Sequence, residues 1–276
     1  MTGRAPAAVA AVADLAPRLG LPTGGHVVLR DLANVNVRVG PVVARVATVT
    51  AEVRGDPEVQ ARRELTIARH AASHGVGVAP ASEVDPGPHT SRGLVITLWD
   101  HVAHDPAGPD AATTGRALAD LHAALADYRG PTGTATPWFD VQRILDLLGE
   151  RLGGATDRLR GVLDERWTSL DLGGPLPTVH GDAHPGNLLM TSTGPRWSDL
   201  EDAWAGPPEW DLACLATTGR FDGRAAVRAY GAVDVERLER FVAMRRLHAG
   251  AWGAAIEHLA PGTFPGAVER LAATVG

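Results

Sequence analysis

The residues best suited to chemistry lie in one segment, His180–Asp202, which opens with the letters HGDAHPGN. Phosphoryl transfer to a hydroxyl group needs an acceptor for the hydroxyl proton and a divalent metal, held by oxygen ligands, to neutralise the phosphates. Asp182 is the candidate base. A predicted hairpin would bring the amide of Asn187 and the carboxylate of Asp199 together around one Mg²⁺ ion. The segment therefore predicts phosphoryl-transfer chemistry.

Two histidines in this segment leave a second chemistry open. His180 and His184 flank Asp182 in a His-x-Asp-x-His pattern that is similar to the metal clusters of hydrolases. No further cluster of His and Asp residues follows nearby, and Asn187 and Asp199 fit phosphoryl transfer better. A metallohydrolase is the less favoured alternative.

Three spaced motifs carry a resemblance to a known family. The letters HGDAHPGN are followed by SDLED at Ser198–Asp202 and by PEWDLA at Pro208–Ala213. Together these motifs resemble the aminoglycoside phosphotransferase family, whose members are relatives of the protein kinases. A lone HGD would be far less specific than the three motifs in this order.

The resemblance implies a role for each matching residue. Asp182 would be the catalytic base, and Asn187 and Asp199 would bind magnesium. Asp211, at the start of a helix, would brace the catalytic loop. The resemblance also implies ATP or GTP as phosphoryl donor, and a hydroxylated small molecule as acceptor. Family members phosphorylate antibiotics, choline, homoserine and sugars, so the fold alone does not select the acceptor.

A kinase-like lobe also needs a cation on its third strand to contact the phosphates, and a helix carboxylate to hold that cation. The predicted strand Val42–Val46 offers Arg45, and Glu64 lies in the predicted helix that follows. Glu58 is the alternative partner, but it stands at the helix start, where it would interact with the helix dipole. We therefore expect an ion pair between Arg45 and Glu64.

All 26 basic residues are arginine, so Arg45 stands where protein kinases have lysine. Codon bias in a GC-rich genome is the simplest cause. A guanidinium is larger and planar, but it still bridges a carboxylate and a phosphate by paired hydrogen bonds. We therefore expect functional replacement of the lysine. Loss of activity would instead make the chain a nucleotide-binding pseudokinase that acts through a partner.

Three further residues are candidates for nucleotide contacts. The connection 32–36 between the first two predicted strands contains Asn34 and lacks the dense glycines of protein kinases. Its backbone amides could still bind phosphate, and Asn tolerates left-handed turns. The resemblance places the adenine at the end of the fifth strand, where Trp99 and Val102 are the expected neighbours.

Acceptor contacts are expected just after the metal ligand, at Glu201, Asp202 and Trp204. Carboxylates would suit a polyamine sugar such as an aminoglycoside, and a tryptophan face would suit a sugar or a quaternary ammonium group. Both carboxylates could equally be solvated charges, and Trp204 could equally belong to the core.

These residues need two kinds of surroundings. Valine-rich alternation predicts strands before and after a helix at 57–73, and the later sequence has mainly helical periodicity, with short strands around Ser192–Gly194. The predicted strands are His26–Asp31, Val35–Val39, Val42–Thr48, Pro80–Val84 and Gly93–Trp99. We predict an α+β, bilobal, protein-kinase-like fold. Its small lobe, residues 1–100, would be a five-stranded antiparallel sheet with one inserted helix, and residues 101–276 would form a larger, mainly helical lobe.

Composition excludes several classes of protein. The net charge of −6 is scattered and no basic run exists, so nucleic acid is not the expected partner. One cysteine excludes a disulfide within the chain. No apolar run approaches the ~20 residues of a membrane span.

The alanine-rich start, which is broken by Asp14, predicts a surface-packed helix and not a signal peptide, and we expect a cytoplasmic protein. The sequence does not predict the oligomeric state.

Overall fold

The computed structural model describes residues 3–275. Its amino-terminal part contains a five-stranded antiparallel sheet in the order β1-β2-β3-β5-β4. The strands are β1 (Val27–Asp31), β2 (Asn34–Val39), β3 (Val42–Ala47), β4 (His89–Ser91) and β5 (Leu94–Asp100). The predicted antiparallel five-stranded sheet is therefore confirmed.

Side chains along β3 alternate between an apolar core on one face of the sheet and the opposite face, which carries Arg45. Successive side chains of a strand point to opposite faces. Val42, Ala44 and Val46 are buried in a small apolar core with helix α1 (Arg4–Leu15). Arg45 therefore faces the other side of the sheet, toward the rest of the chain, in register with Asn36 on β2 and Thr97 on β5.

Two helices separate β3 from β4: α2 (Val49–Arg54) and α3 (Pro57–Ser73). Pro57 occupies the first turn of α3, where its missing N–H costs nothing, and Gly75 follows the last turn with a φ of +81°. Helix α2 was not predicted, because the β-branched Val49 and Thr50 are more typical of strands. Tertiary contacts overcome that preference, since Val49, Thr50, Val53 and Arg54 are all buried.

The predicted strand Pro80–Val84 is wrong. This segment runs beside β5 but forms only an isolated bridge, from Ala81 to Trp99. Pro80 has no N–H to donate, so the pairing is irregular and relies on single bonds such as Ser82 N–H to the Leu98 carbonyl at 3.1 Å. The edge strand β4 lies instead between this segment and β5, in a stretch for which no strand was predicted.

The remainder of the chain is mainly helical, as predicted. Its helices are α4 (Ala111–Leu125), α5 (Thr136–Leu152), α6 (Ala155–Ser169), α7 (Pro208–Ala216), α8 (Gly223–Tyr230), α9 (Val235–Leu259) and α10 (Ala267–Ala273). No helix within residues 3–275 is both long and apolar enough to cross a membrane.

Short strands connect the helices at the centre of this part. A three-stranded sheet has the order β6-β10-β7, and β8 pairs with β9 in a hairpin. The strands are β6 (Gly133–Thr134), β7 (Thr178–Val179), β8 (Leu188–Thr191), β9 (Gly194–Trp197) and β10 (Trp204–Ala205). The last strand of the larger sheet ends at Asp100. We therefore propose that residues 1–100 form the small lobe and residues 101–276 the larger, helical lobe.

Candidate active site

The loop after β7 is anchored by one buried carboxylate. Asp211, which has no exposed surface, accepts hydrogen bonds from the backbone N–H groups of His180 at 2.7 Å and Gly181 at 2.9 Å. The ring of His122 on α4 lies 2.9 Å from the same carboxylate. Asp211 stands in the first turn of α7, so the helix and the loop are fixed to each other.

Gly181 is required where the loop meets the segment after β9. Its φ is +87°, and a Cβ atom would overlap the carbonyl oxygen of Asp202. The indole N–H of Trp210 also donates to the Gly181 carbonyl at 2.7 Å. The absence of a side chain therefore allows the close approach of Gly181 to the backbone of Asp202.

The two histidines of the loop serve backbone contacts. The buried ring of His180 contacts the Ser198 carbonyl through Nε2 at 3.1 Å and accepts the Asp182 N–H through Nδ1 at 3.3 Å. His184 accepts the Gly186 N–H at 2.9 Å. This arrangement leaves His180 with no nitrogen for a metal. Within residues 3–275, the group of three side chains with metal-like spacing lies elsewhere and lines neither cavity described below: His70, His74 and Asp127.

Asp182 is paired with a cation that the sequence did not single out. Arg245 on α9 donates to Asp182 Oδ1 at 2.5 Å, and His184 Nε2 lies 3.4 Å from Oδ2. Burial alone would raise the pKa of Asp182, but the charge of Arg245 and the hydrogen bond from His184 outweigh it and hold the pKa well below its usual range. The carboxylate is therefore ionised at neutral pH.

The two predicted metal ligands stand at one end of the β8–β9 hairpin. Ser198 N–H donates to the Asn187 carbonyl at 2.8 Å, which holds the segments of Asn187 and Asp199 together. The side-chain nitrogen of Asn187 donates to the Asp182 backbone carbonyl at 3.0 Å, and its side-chain oxygen accepts no hydrogen bond from residues 3–275. An amide oxygen and a carboxylate at one place are donors that suit Mg²⁺.

Arg45 contacts three carboxylates at once. It donates to Glu64 on α3, to Asp199 at 2.5 Å and to Glu201 at 2.9 Å. Burial and the nearby Asp199 raise the pKa of Glu64 to about 7 and that of Glu201 to about 8, although Arg45 opposes both shifts. The predicted pair Arg45–Glu64 is thus part of a larger cluster, while Glu58 contacts Arg62 near the surface.

A second buried arginine holds the neighbouring acid. Arg54, at the end of α2, binds both oxygens of Asp140 on α5, at 3.0 and 2.5 Å, and also contacts Asp202. Arg54 and Asp140 are 9% and 2% exposed, so this is an ion pair in the interior. Burial works against ionisation of Asp140, but Arg54 and His248 lower its pKa. Asp202 is therefore held against α2 and α5.

Asn34, the first residue of β2, contacts the same cluster of charged side chains around Arg45. Its amide nitrogen donates to Glu201 Oε1 at 2.7 Å, and its oxygen accepts from Thr50 Oγ1 at 2.5 Å. This places Asn34 in the wall of the cleft next to Arg45.

The cleft between the sheet and the helices has two cavities. The interlobe cavity, about 710 Å³, is lined by Asn34, Arg45, Asp182, Asp199, Glu201 and Asp202 together with residues of α6, α9 and α10. The hinge cavity, about 270 Å³, is lined by Trp99 and Val102, and it shares Arg45 and Asp199 with the first. The hinge cavity also has the apolar wall, from Val43, Ala79 and Leu189, that suits a flat ring.

Trp204 does not belong to this site. It is 1% exposed, and its ring packs against Trp167 and Trp210 within the helical core. It is not among the described residues that line either cavity. The structure therefore places Trp204 in the core, which was the alternative to an acceptor contact.

The sequence did not reveal the distant residues that surround the acids of this site. Arg54, Asp140, Arg245 and His248 lie far from His180–Asp202 in the chain and share no motif with it. The one available signal was the spacing of Asp140, a lone acid on the apolar stripe of α5 with Val141, Ile144 and Leu148. A buried acid predicts a buried cation, although not which one.

Comparison with known proteins gives a consistent result. The model of a family described as "APH: Phosphotransferase enzyme family" matches residues 21–248. A comparison with curated proteins gave no match. Among solved structures, a GDP and kanamycin complex of the aminoglycoside phosphotransferase APH(2″)-IIIa is similar over 95% of this chain and 96% of its own, at 16% identity and a TM-score of 0.65.

Two other solved structures have the same architecture. A choline/ethanolamine kinase family protein from Mesorhizobium loti is 21% identical, with 98% of this chain and 92% of the other covered and a TM-score of 0.65. The choline kinase LicA from Streptococcus pneumoniae is 13% identical, with 91% and 92% covered and a TM-score of 0.65. At these identities the likeness shows the fold.

Proposed function

Since the chain belongs to the phosphotransferase enzyme family, we propose that it is a kinase that transfers the γ-phosphate of ATP or GTP to a hydroxyl group of a small molecule. The observation that carries this proposal is the arrangement of Asp182, Asn187 and Asp199 around one end of the β8–β9 hairpin, beside the cation Arg45. Similar structures contain GDP, ADP and AMP, so adenine and guanine nucleotides are both candidates for the phosphoryl donor.

Asp182 is the proposed base. The hydroxyl oxygen of the acceptor forms the new bond to the γ-phosphorus, while the bond from this phosphorus to the β,γ-bridging oxygen breaks. The hydroxyl proton passes to the Asp182 carboxylate, and the nucleoside diphosphate leaves with the electron pair. Asp182 is ionised because Arg245 holds its pKa low, so it orients the hydroxyl and accepts the proton late in the transfer.

Asn187 and Asp199 are the proposed magnesium ligands. Their oxygen atoms fit a hard divalent cation, and the side-chain nitrogen of Asn187 is already used by Asp182, which leaves the oxygen for the metal. Mg²⁺ supplies charge neutralisation of the phosphates when it is bound. The remaining contacts of the nucleotide come from the chain itself.

Arg45 is the proposed phosphate contact, with Glu64 as its anchor. Its second and third partners, Asp199 and Glu201, are groups that a nucleotide with its metal would replace. We place the base of the nucleotide in the hinge cavity beside Trp99 and Val102. Asn34, in the wall of the cleft, is the proposed phosphate neighbour at the start of β2.

A second candidate is a nucleotide-binding pseudokinase. The observation that favours it is the ion pair of Arg45 with Asp199, because this pair occupies a proposed metal ligand with a cation. The metallohydrolase alternative loses support, since both ring nitrogens of His180 are used by the backbone.

Turnover separates these candidates. The purified chain is incubated with Mg²⁺, ATP or GTP and a panel of hydroxylated acceptors, and the phosphorylated product is identified by mass spectrometry. We expect one or more products, and we expect Asp182→Asn to lower kcat by about 10²- to 10⁴-fold with unchanged nucleotide affinity. Nucleotide binding without any product would favour the pseudokinase, and zinc retained by His184 through dialysis would favour the hydrolase.

A further inference from the structure

Every carboxylate that lines the interlobe cavity within residues 3–275 is already paired with an arginine. Asp182 contacts Arg245, Asp202 contacts Arg54, and Asp199 and Glu201 contact Arg45. The pair of Asp202 with Arg54 therefore argues against the expectation that this carboxylate suits a polyamine. A cationic acceptor that reached Asp182 or Asp202 would have to take the carboxylate away from Arg245 or Arg54, which is costly because both guanidinium groups are largely buried.

Three other arginines also line the interlobe cavity. Arg166 on α6, Arg246 on α9 and Arg270 on α10 line it, and none has a carboxylate oxygen within 4.0 Å among the described residues. Arg166 donates one hydrogen bond to the Ala243 carbonyl and Arg270 one to the Pro265 carbonyl, each at 2.8 Å. These bonds restrain both side chains and leave other N–H groups of each guanidinium free.

The positions of these three arginines in the fold differ from those of a run of solvated charges on the surface. They come from three different helices and converge on one cavity, whereas a charge run would follow one exposed face. Arg30 on β1 also lines this cavity, but it lines the hinge cavity too, so we assign it to the nucleotide side.

The wall beside these arginines is apolar. Ile256, Ala267 and Leu271 are buried side chains that line the cavity, and Phe264 lines it with 38% of its surface exposed. A ligand of this region would therefore bury hydrocarbon and present an anion to the guanidinium groups.

We propose that the acceptor is an amphiphilic hydroxylated acid. Its hydroxyl group reaches Asp182, its apolar portion packs against the wall formed with α9 and α10, and its carboxylate or phosphate pairs with Arg246 and Arg270, with Arg166 nearby. The assignment of this compound as acceptor rests on the proposed kinase function. The charge of the cavity is a property of the cavity itself, and it can be measured without turnover.

Four matched probes test this assignment: ω-hydroxyoctanoate, ω-hydroxyoctyl phosphate, ω-hydroxyoctanamide and ω-amino-octanol. Binding of each is measured by calorimetry with the full chain, Mg²⁺ and a non-hydrolysable ATP analogue. We expect the better of the two anions to bind at least about 10-fold more tightly than the amide, and the amine to bind most weakly. The ranking of the two anions distinguishes a carboxylate from a phosphate. Equal binding of all four probes, or preference for the amine, overturns the proposal.

Variants locate the anion. Arg246→Gln and Arg270→Gln should each weaken binding of the preferred anion about 5-fold and leave the amide unchanged. Arg240→Gln is the matched control on α9, because Arg240 is exposed, pairs with Glu236 and lies outside the cavity. Anion binding that survives the double variant Arg246→Gln/Arg270→Gln also overturns the assignment.

The two proposals fail in different ways. If the enzyme phosphorylates neutral or cationic acceptors and the probes bind without charge preference, the acceptor class is wrong and the kinase function stands. If the anions bind with the expected preference but no acceptor is ever phosphorylated, the kinase function is wrong and the anion site stands.

Discussion

Arg245 and Asp182 are 63 residues apart in the chain, yet Arg245 Nη2 lies 2.5 Å from Asp182 Oδ1. The same arginine donates to His248 Nδ1 at 3.2 Å, and His248 Nε2 lies 3.3 Å from Asp140. The proposed base is thus connected through α9 to the buried pair of Arg54 and Asp140. Its orientation depends on helices that carry no motif.

Arg245→Gln should make activity more sensitive to acid. Arg245 holds the pKa of Asp182 low, so its removal raises that pKa and the protonated, inactive form begins to appear at a higher pH. We expect the acidic limb of the kcat/KM profile to move toward neutral pH, with kcat lowered about 10-fold even at pH 8 because the carboxylate is less well oriented. An unmoved limb would show that Arg245 acts only on packing.

Arg45→Ala should impair nucleotide use far more than acceptor binding. Arg45 is the buried cation beside Glu64 and the hinge cavity, so its loss should raise the KM for ATP or GTP by about 10-fold or more. Arg45→Lys restores the charge but not the fork of donors, and we expect partial recovery. A nucleotide KM that stays the same in Arg45→Ala would contradict the assignment of β3.

Arg54→Met should destabilise the fold. The substitution leaves Asp140, which is 2% exposed, without its main counter-charge, and breaking a buried pair costs about 3–5 kcal/mol. Urea unfolding measures the change. Arg62→Met is the control, because Arg62 pairs with Glu58 on the exposed side of α3, and its loss should change the free energy of unfolding by less than about 1 kcal/mol.

Stability should fall as pH rises from about 5 to about 8. The pKa values of Glu64 and Glu201 are raised to about 7 and about 8 in the folded chain, so the fold holds protons that the unfolded chain has released above its ordinary glutamate pKa. When the folded state binds more protons, the free energy of unfolding decreases with rising pH. We expect a loss of several kcal/mol across this window, because each unit between the pH and the raised pKa of a group contributes about 1.4 kcal/mol.

Asp182 acts in the opposite direction at lower pH. Its pKa is lowered in the fold, so the stability it contributes is lost only as pH falls below the ordinary aspartate range. The most stable pH should therefore lie on the acidic side of neutrality.

Urea unfolding at several pH values measures how the free energy of unfolding depends on pH, and Glu201→Gln should flatten this dependence between pH 5 and 8. A free energy of unfolding that rises over this range would refute the shifts.

The elements near the motifs could be predicted from the sequence because their contacts are local or follow from strand alternation. Period-two burial along β3 put Arg45 on the face opposite Val42 and Val46, and the β8–β9 hairpin held Asn187 near Asp199. Edge strand β4 and helix α2 were missed, because in both the local preference of the residues disagrees with the tertiary contacts.

The charge balance of the cleft could not be predicted, since it depends on which distant helix approaches which acid. Glu201 and Asp202 look like free carboxylates in the sequence, and only the positions of Arg45 and Arg54 show that they are neutralised. Arg246 and Arg270 look like ordinary surface residues until α9 and α10 place them on one cavity. An acceptor inferred from the motif alone therefore has a charge opposite to that of the acceptor that we propose.

The guanidinium of Arg45 has a consequence for chemical labelling. Reagents that acylate the phosphate-binding amine of kinases need a lysine that loses its proton, and this chain contains none. Burial alone would lower the pKa of Arg45, but Asp199, Glu201 and Glu64 together raise it above its usual range, so the guanidinium stays protonated and inert to acylation. Nucleotide analogues that carry an acylating group should bind this enzyme and leave β3 unmodified, which makes it invisible to surveys that detect kinases by covalent capture.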